Sequence, residues 1–213
     1  MLFGKIDYIN LAPFHLFLKR YIRNSQLKQS IEYKKSYPAR INRLFCLRKI
    51  DAAFISSIES RGKRCFDVGI VARSEIRSVL IERGSEKNDP HSATSNALAK
   101  LLHLQGEVII GDKALKAWTE EPERYIDLAR LWYEKEGVPF VFARFCTNRN
   151  RRYYRKLTRR FVQSRIRLPA YFLNRYARNR GIPPKEIKSY LKLVEYKIDA
   201  KAKRGLHRFL KKV

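Results

Sequence analysis

The chain has 213 residues, of which 45% are apolar and 12% aromatic; this suits a globular protein with a substantial core and excludes a disordered one. No apolar run approaches the roughly 20 residues of a membrane-spanning helix, and the opening "MLFGKIDYINLAPF" lacks the pattern of a secretory signal, so a cytoplasmic protein is expected. The net charge of +27 invites a nucleic-acid reading, but its distribution favours a solvated basic face: from Arg144 onward 23 lysines and arginines meet only Glu186, Glu195 and Asp199, spread around helical patterns with no nucleic-acid-binding signature.

Cys46, Cys65 and Cys146 are odd in number and far apart, so neither a disulfide framework nor a zinc site is expected. "LFGKIDYI" reads as a strand followed by Asn10, and "APFHLFLKRYI" as a helix with Pro13 in its first turn. "SIEYKKS" is a short strand. "YPARINRLFCLRKI" is a helix starting at Pro38, with Ile41, Leu44, Phe45 and Leu47 on its apolar side. "DAAFISS", "FDVGIVARS" and "IRSVLIER" are strands, and "GSEKNDP" is a polar turn.

A second unit opens with the helix "SATSNALAKLLHL". Strand "EVIIG", helix "DKALKAW", strand "RYIDL", helix "ARLWYEKEG" and strand "VPFVFARF" follow. After Asn148 everything reads helical. The expected division is a first lobe of residues 1–80 and 147–213 and a second lobe of residues 81–146. The alternation of strands and helices predicts α/β architecture.

Polar residues fall where apolar strands end: Asn10, Ser56 and Ser57, Gly111 and Asp112. In open α/β sheets, ligands bind beyond the carboxyl ends of strands. Three hydroxyls (Ser92, Thr94 and Ser95) crowd one helix start, flanking Ala93. An N-cap needs one of them. The others would suit an anion held at a helix N-terminus, and this stretch alone leaves both uses open.

In order, "KIDYINLAPF", "IDAAFISSIES", "IRSVLI", "SATSNAL", "VIIGDKAL" and "GVPFVFARF" resemble the chorismate dehydratases of the futalosine route to menaquinone, in texture the basic epsilonproteobacterial type. The likeness is close over about the first 150 residues and looser beyond. It implies a two-lobed, periplasmic-binding-protein-like fold (type II) with a cleft between the lobes and a helical C-terminal region. It also implies conversion of chorismate to 3-[(1-carboxyvinyl)oxy]benzoate, with no metal or organic cofactor. Ser92, Ala93, Thr94 and Ser95 would then seat one carboxylate of the dianion. Ser56 and Ser57 would help with the other or with the hydroxyl, and Gly111 and Asp112 would complete the binding set.

The resemblance points to Asn10 and Ser78 as the key polar residues. An amide is too weak a base, so Asn10 would orient the substrate and donate to the leaving hydroxyl. The substrate's own enolpyruvyl carboxylate would take the proton. Asp7, Glu59, Glu75 and Asp112 make no convincing acid–base pair. His91 reads as a loop residue; Arg77 and Arg144 flank the strands expected to cross between the lobes, where they would attract a dianion or point to solvent, and are left out of the site set. A sister enzyme, 1,4-dihydroxy-6-naphthoate synthase, would need a histidine base in the second lobe, and none lies between Leu104 and Cys146. A non-catalytic small-anion binding protein is the other alternative, and the sequence leaves the oligomeric state open.

Overall fold

The computed structural model describes residues 2–26, 28–29, 34–85 and 87–213. Nine strands form two sheets among the described residues. The larger has six strands: β1 (Phe3–Ile6), β2 (Lys35–Ser36), β3 (Ala52–Ser56), β4 (Cys65–Ala72), β8 (Phe140–Thr147) and β9 (Val194–Lys197), in the spatial order β2-β1-β3-β8-β4-β9. β1 runs parallel to β2 and β3, whereas β8 is antiparallel to both β3 and β4. The smaller sheet sets β5 (Val79–Arg83) between β6 (Gly106–Ile110) and β7 (Tyr125–Asp127), all antiparallel. Residues 30–33, expected at the start of the second strand, lie outside the described residues.

The chain leaves the large sheet after β4, builds the small one and returns as β8. Phe140–Cys146, expected in the second lobe, therefore pair within the large sheet together with Thr147, and the first two residues of β5 pair within the small one. β8 is apolar enough to be buried and uses both edges, pairing with β3 and β4 at once.

Helices start where the sequence supplies rigid or capping residues. α1 (Ala12–Tyr21) and α2 (Pro38–Cys46) carry proline in the first turn, where a missing N–H costs nothing. Ser92 caps α3 (Ala93–Leu101), and α4 (Gly111–Glu120) follows β6 directly. Asp127 caps α5 (Leu128–Glu136), accepting from the N–H groups of Ala129 and Arg130. The same buried carboxylate accepts from Ile76 and Arg77 at 2.7 and 2.6 Å, so it also holds the segment that crosses from β4 to β5.

Beyond β8 come α6 (Arg151–Gln163), α7 (Ala170–Arg180), α8 (Pro184–Leu193) and α9 (Ala200–Lys212). The helical expectation for this third fails at Val194–Lys197. "VEYK" pairs antiparallel with the open edge of β4, a partner that a local helical pattern cannot reveal. One core is built around Phe14, which meets Phe54 and Phe161 edge-on at 4.9 Å. Trp132, Phe140 and Phe209 form a second aromatic knot under α9.

Cys65 and Cys146 are register partners on β4 and β8 and form a disulfide, while Cys46 is free and exposed. The expectation of no disulfide fails because strand register brings together residues 81 apart in sequence. Among the described residues no helix is long and apolar enough to cross a membrane.

Candidate active site

The carboxyl ends of β1 and β3, the start of β5 and the starts of α3 and α4 converge on one cavity of about 80 Å³ between the two sheets. Ile6, Phe54, Ile70 and Phe142 give it apolar walls. Its polar lining includes Asn10, Ser56, Ser78, Ser92 and Ser95, together with Tyr8, His91 and the backbone of Gly111. Among the described residues no lysine or arginine lines it, so an anion here would be met by neutral donors and helix N-termini.

Six of the ten residues singled out on sequence therefore share one cavity. Asn10 sits in the short 3-10 turn Ile9–Leu11, and its Oδ1 is buried with no hydrogen-bond partner among the described residues. Ser78, 1% exposed, accepts at Oγ from the Tyr190 hydroxyl at 2.8 Å, and its carbonyl accepts from Gly111 N–H at the same distance. Ser56 is held by Asn42, whose Nδ2 donates to its Oγ at 3.0 Å. Ser92 Oγ accepts from Ser95 N–H as the α3 cap and donates to Ser95 Oγ at 2.7 Å.

The other four do not line the cavity, and each has a local reason. Ser57 is fully buried and donates to the Val141 carbonyl. Thr94 Oγ1 accepts from Ile58 N–H at 3.2 Å, tying the α3 start to the turn after β3. Ala93 is exposed. Asp112 accepts from Ile9 N–H at 2.8 Å and from Arg180 Nε at 2.7 Å. It is a strut between α4, the 3-10 turn and α7, and makes no cap on its own helix.

Burial raises the Asp112 carboxyl above its ordinary value despite the bonds from Ile9 and Arg180. Arg180 also pairs with Asp7 at 3.1 Å. Burial alone would raise Asp7, but the hydrogen bond from Lys35 and the charges of Lys5, Lys35 and Arg180 outweigh it, leaving this carboxyl below its ordinary value.

Four further residues complete the site. Tyr8 lies against Gly111, and its hydroxyl is pushed up to about 12 by burial and by the Asp89 and Asp112 carboxylates. His91, in the turn before α3, lines the cavity with Nδ1 buried and unpartnered and its ring 4.3 Å from that of Tyr37. Tyr190 and Tyr196 approach from the C-terminal third, and the Tyr196 hydroxyl donates to the Asn10 carbonyl. Adjacency to Ser92 was a signal for His91; the tyrosines gave none, because they arrive from 112 and 186 residues away. Arg77 is engaged by Glu75 and Arg144 reaches Ser60, and neither lines the cavity.

Three proteins of solved structure share the fold across almost the whole chain. A protein from Archaeoglobus fulgidus superposes with TM-score 0.72 at 13% identity, covering 99% of this chain and 95% of its own. The alkanesulfonate-binding protein of Xanthomonas axonopodis pv. citri gives 0.56 at 15%, over 98% and 91%. A Candida albicans protein with the generic periplasmic-binding-protein fold gives 0.53 at 11%, over 98% and 89%. The architecture is thus periplasmic-binding-protein-like.

A family model described as menaquinone biosynthesis matches residues 103–213. A curated chorismate dehydratase from Campylobacter jejuni is 47% identical over 99% of this chain and 96% of its own length. A chorismate dehydratase from Thermus thermophilus is 27% identical over 97% and 92%. With the family model spanning just over half the chain and a relative this similar along nearly all of it, the chain belongs to the chorismate dehydratase family of menaquinone biosynthesis.

Proposed function

We propose that this chain is a hydro-lyase that removes water from chorismate to give 3-[(1-carboxyvinyl)oxy]benzoate, as its Campylobacter jejuni relative's name implies. The observation that carries the proposal is the meeting of Asn10, with its unpartnered buried Oδ1, and the Ser78 hydroxyl in one cavity beside the α3 hydroxyls. The two sheets act as two lobes that enclose the substrate. A biosynthetic role places the protein in the cytoplasm with that substrate, and the basic C-terminal surface is a solvated face, not a nucleic-acid site.

The chemistry asks little of charged groups. Chorismate carries two carboxylates, and loss of water makes its ring aromatic, which supplies much of the driving force. The site must hold a dianion in fixed geometry and exclude water. The α3 N-terminus with Ser92 and Ser95 suits one carboxylate, and Ser56 suits the other end. The proton on the ether-bearing ring carbon is acidified through a conjugated double bond by the ring carboxylate. The enolpyruvyl carboxylate of the substrate takes that proton, while Asn10 and Ser78 hold the departing hydroxyl.

Incubation with chorismate, followed by absorbance and mass, tests the reading: the expected result is the aromatic product, one water lighter. Asn10→Ala and Ser78→Ala are each expected to lose most turnover. Near-normal rates in both would overturn the assignment.

A further inference from the structure

Tyr190, on α8, is buried at 2% exposure, and its hydroxyl donates to Ser78 Oγ at 2.8 Å. The Asn10 side chain neighbours the same hydroxyl and offsets part of the effect of burial on it. Asn10 Oδ1 has no partner among the described residues, so the part of the amide suited to meet Tyr190 Oη is Nδ2–H, a donor. Tyr196 fixes the Asn10 main chain by donating to its carbonyl. Burial holds the Tyr190 hydroxyl above its ordinary value, so the donor persists at neutral pH.

A phenol has one proton, and that of Tyr190 goes to Ser78. The Ser78 oxygen is thereby an acceptor on that side, and its own O–H must point elsewhere. Ser78 lines the cavity. Tyr190 therefore donates to Ser78, and Ser78 to whatever occupies the cavity; an Asn10 N–H given to Tyr190 Oη runs the same way.

We infer that Tyr190 is a positioning residue that fixes the polarity of the site, so that the cavity meets one acceptor, Asn10 Oδ1, and one donor, the Ser78 O–H. A hydroxyl group is complementary to that pair, since its oxygen accepts from Ser78 while its hydrogen donates to Asn10. This inference rests on the dehydration reading and gives Asn10 the opposite polarity to the donor role expected from sequence. The site selects a substrate whose leaving group is a neutral hydroxyl and disfavours an ether or fluoride there, neither of which can donate. In the reaction the C–H and C–O bonds break, and the proton first taken by the enolpyruvyl carboxylate ends on the departing oxygen. Water leaves, and Asn10, Tyr190 and Ser78 finish in the protonation states they began with.

The test is Tyr190→Phe, which keeps the ring and removes the O–H. The expected result is a kcat lower on the order of 10- to 100-fold with KM changed less than about threefold. In a Ser78→Ala background the same change should cost less than about threefold more, because the two residues act as a unit. A kcat within about twofold of wild type, or full multiplicative losses in the double variant, overturns the inference. Asn10→Asp provides a second arm that keeps shape: a carboxylate cannot donate to Tyr190 and instead draws its proton away from Ser78. Turnover should fall at least as far as in Asn10→Ala, and near-normal turnover overturns the polarity. A wild-type chain that leaves chorismate untouched overturns the dehydration reading and this inference with it. An active wild type with an unaffected Tyr190→Phe overturns only the inference.

Discussion

Gly111→Ala should damage both the fold and the cavity, and the structure separates the two costs. Gly111 has φ +69°, and a β-carbon there would lie 2.7 Å from two atoms of the Tyr8 ring. The left-handed backbone alone costs a non-glycine residue about 1 kcal/mol. Forcing the ring aside adds about 1–3 kcal/mol of overpacking, for a total of about 2–4 kcal/mol. In a chain of this size each kcal/mol lowers Tm by roughly 2–4 °C, so a drop of roughly 5–15 °C is expected in a thermal melt. Gly137→Ala is the control, because φ is similar at +66° but nothing lies within 4 Å of the added carbon. It should lose only the backbone share, roughly 2–4 °C. Tyr8 and Gly111 both line the cavity, so KM for chorismate should rise at least about fivefold in Gly111→Ala, equivalent to about 1 kcal/mol of binding, and stay level in Gly137→Ala. Equal melting shifts in the two variants, or an unchanged KM at Gly111, would refute the reasoning.

Three other outcomes are expected from two capping carboxylates and from the surface charge. Asp127→Ala removes the acceptor of four N–H groups, those of Ile76 and Ala129 buried and those of Arg77 and Arg130 part-buried, so urea unfolding should show a loss of about 3–5 kcal/mol, and a loss under about 1 kcal/mol would contradict the assignment. Asp199→Ala removes the cap of α9 and should cost about 1 kcal/mol at neutral pH. The Asp199 carboxyl is held low by the Ala202 N–H and by Arg73; its stabilisation is therefore complete above the unfolded value of 3.8 and disappears as pH falls through the lower folded value, so wild type and variant should converge in acid. Titration with duplex DNA should show only weak, steeply salt-dependent binding at physiological ionic strength; tight binding there would revive the nucleic-acid reading of the basic face.

The elements that carried a clean local period were legible. The apolar strands β1, β3 and β6 end near the polar residues that mark the cavity, and prolines or capping side chains announce the helix starts. Pairing was hidden. Nothing in "PFVFARF" says that it returns between β3 and β4, or that "VEYK" finds an open edge, because both depend on partners distant in the chain. The Cys65–Cys146 bond is a consequence of that same register. At the site, sequence located the right neighbourhood but not the direction of each side chain. Thr94 and Asp112 sit beside cavity-lining residues yet turn to Ile58, Ile9 and Arg180. Tyr190 and Tyr196 lie within an ordinary amphipathic pattern and acquire their partners only on folding.

The position of β8 governs how this chain can assemble during synthesis. The small sheet is contiguous in sequence and can close as soon as β7 has emerged, whereas the large sheet stays split until residues 140–147 arrive to join β3 to β4. Until then the facing edges of β3 and β4 are both open, which is the hazard that edge-to-edge aggregation exploits. A ribosome pausing between β7 and β8 would hold a half-built sheet in that exposed condition, and a chaperone would find its longest engagement there.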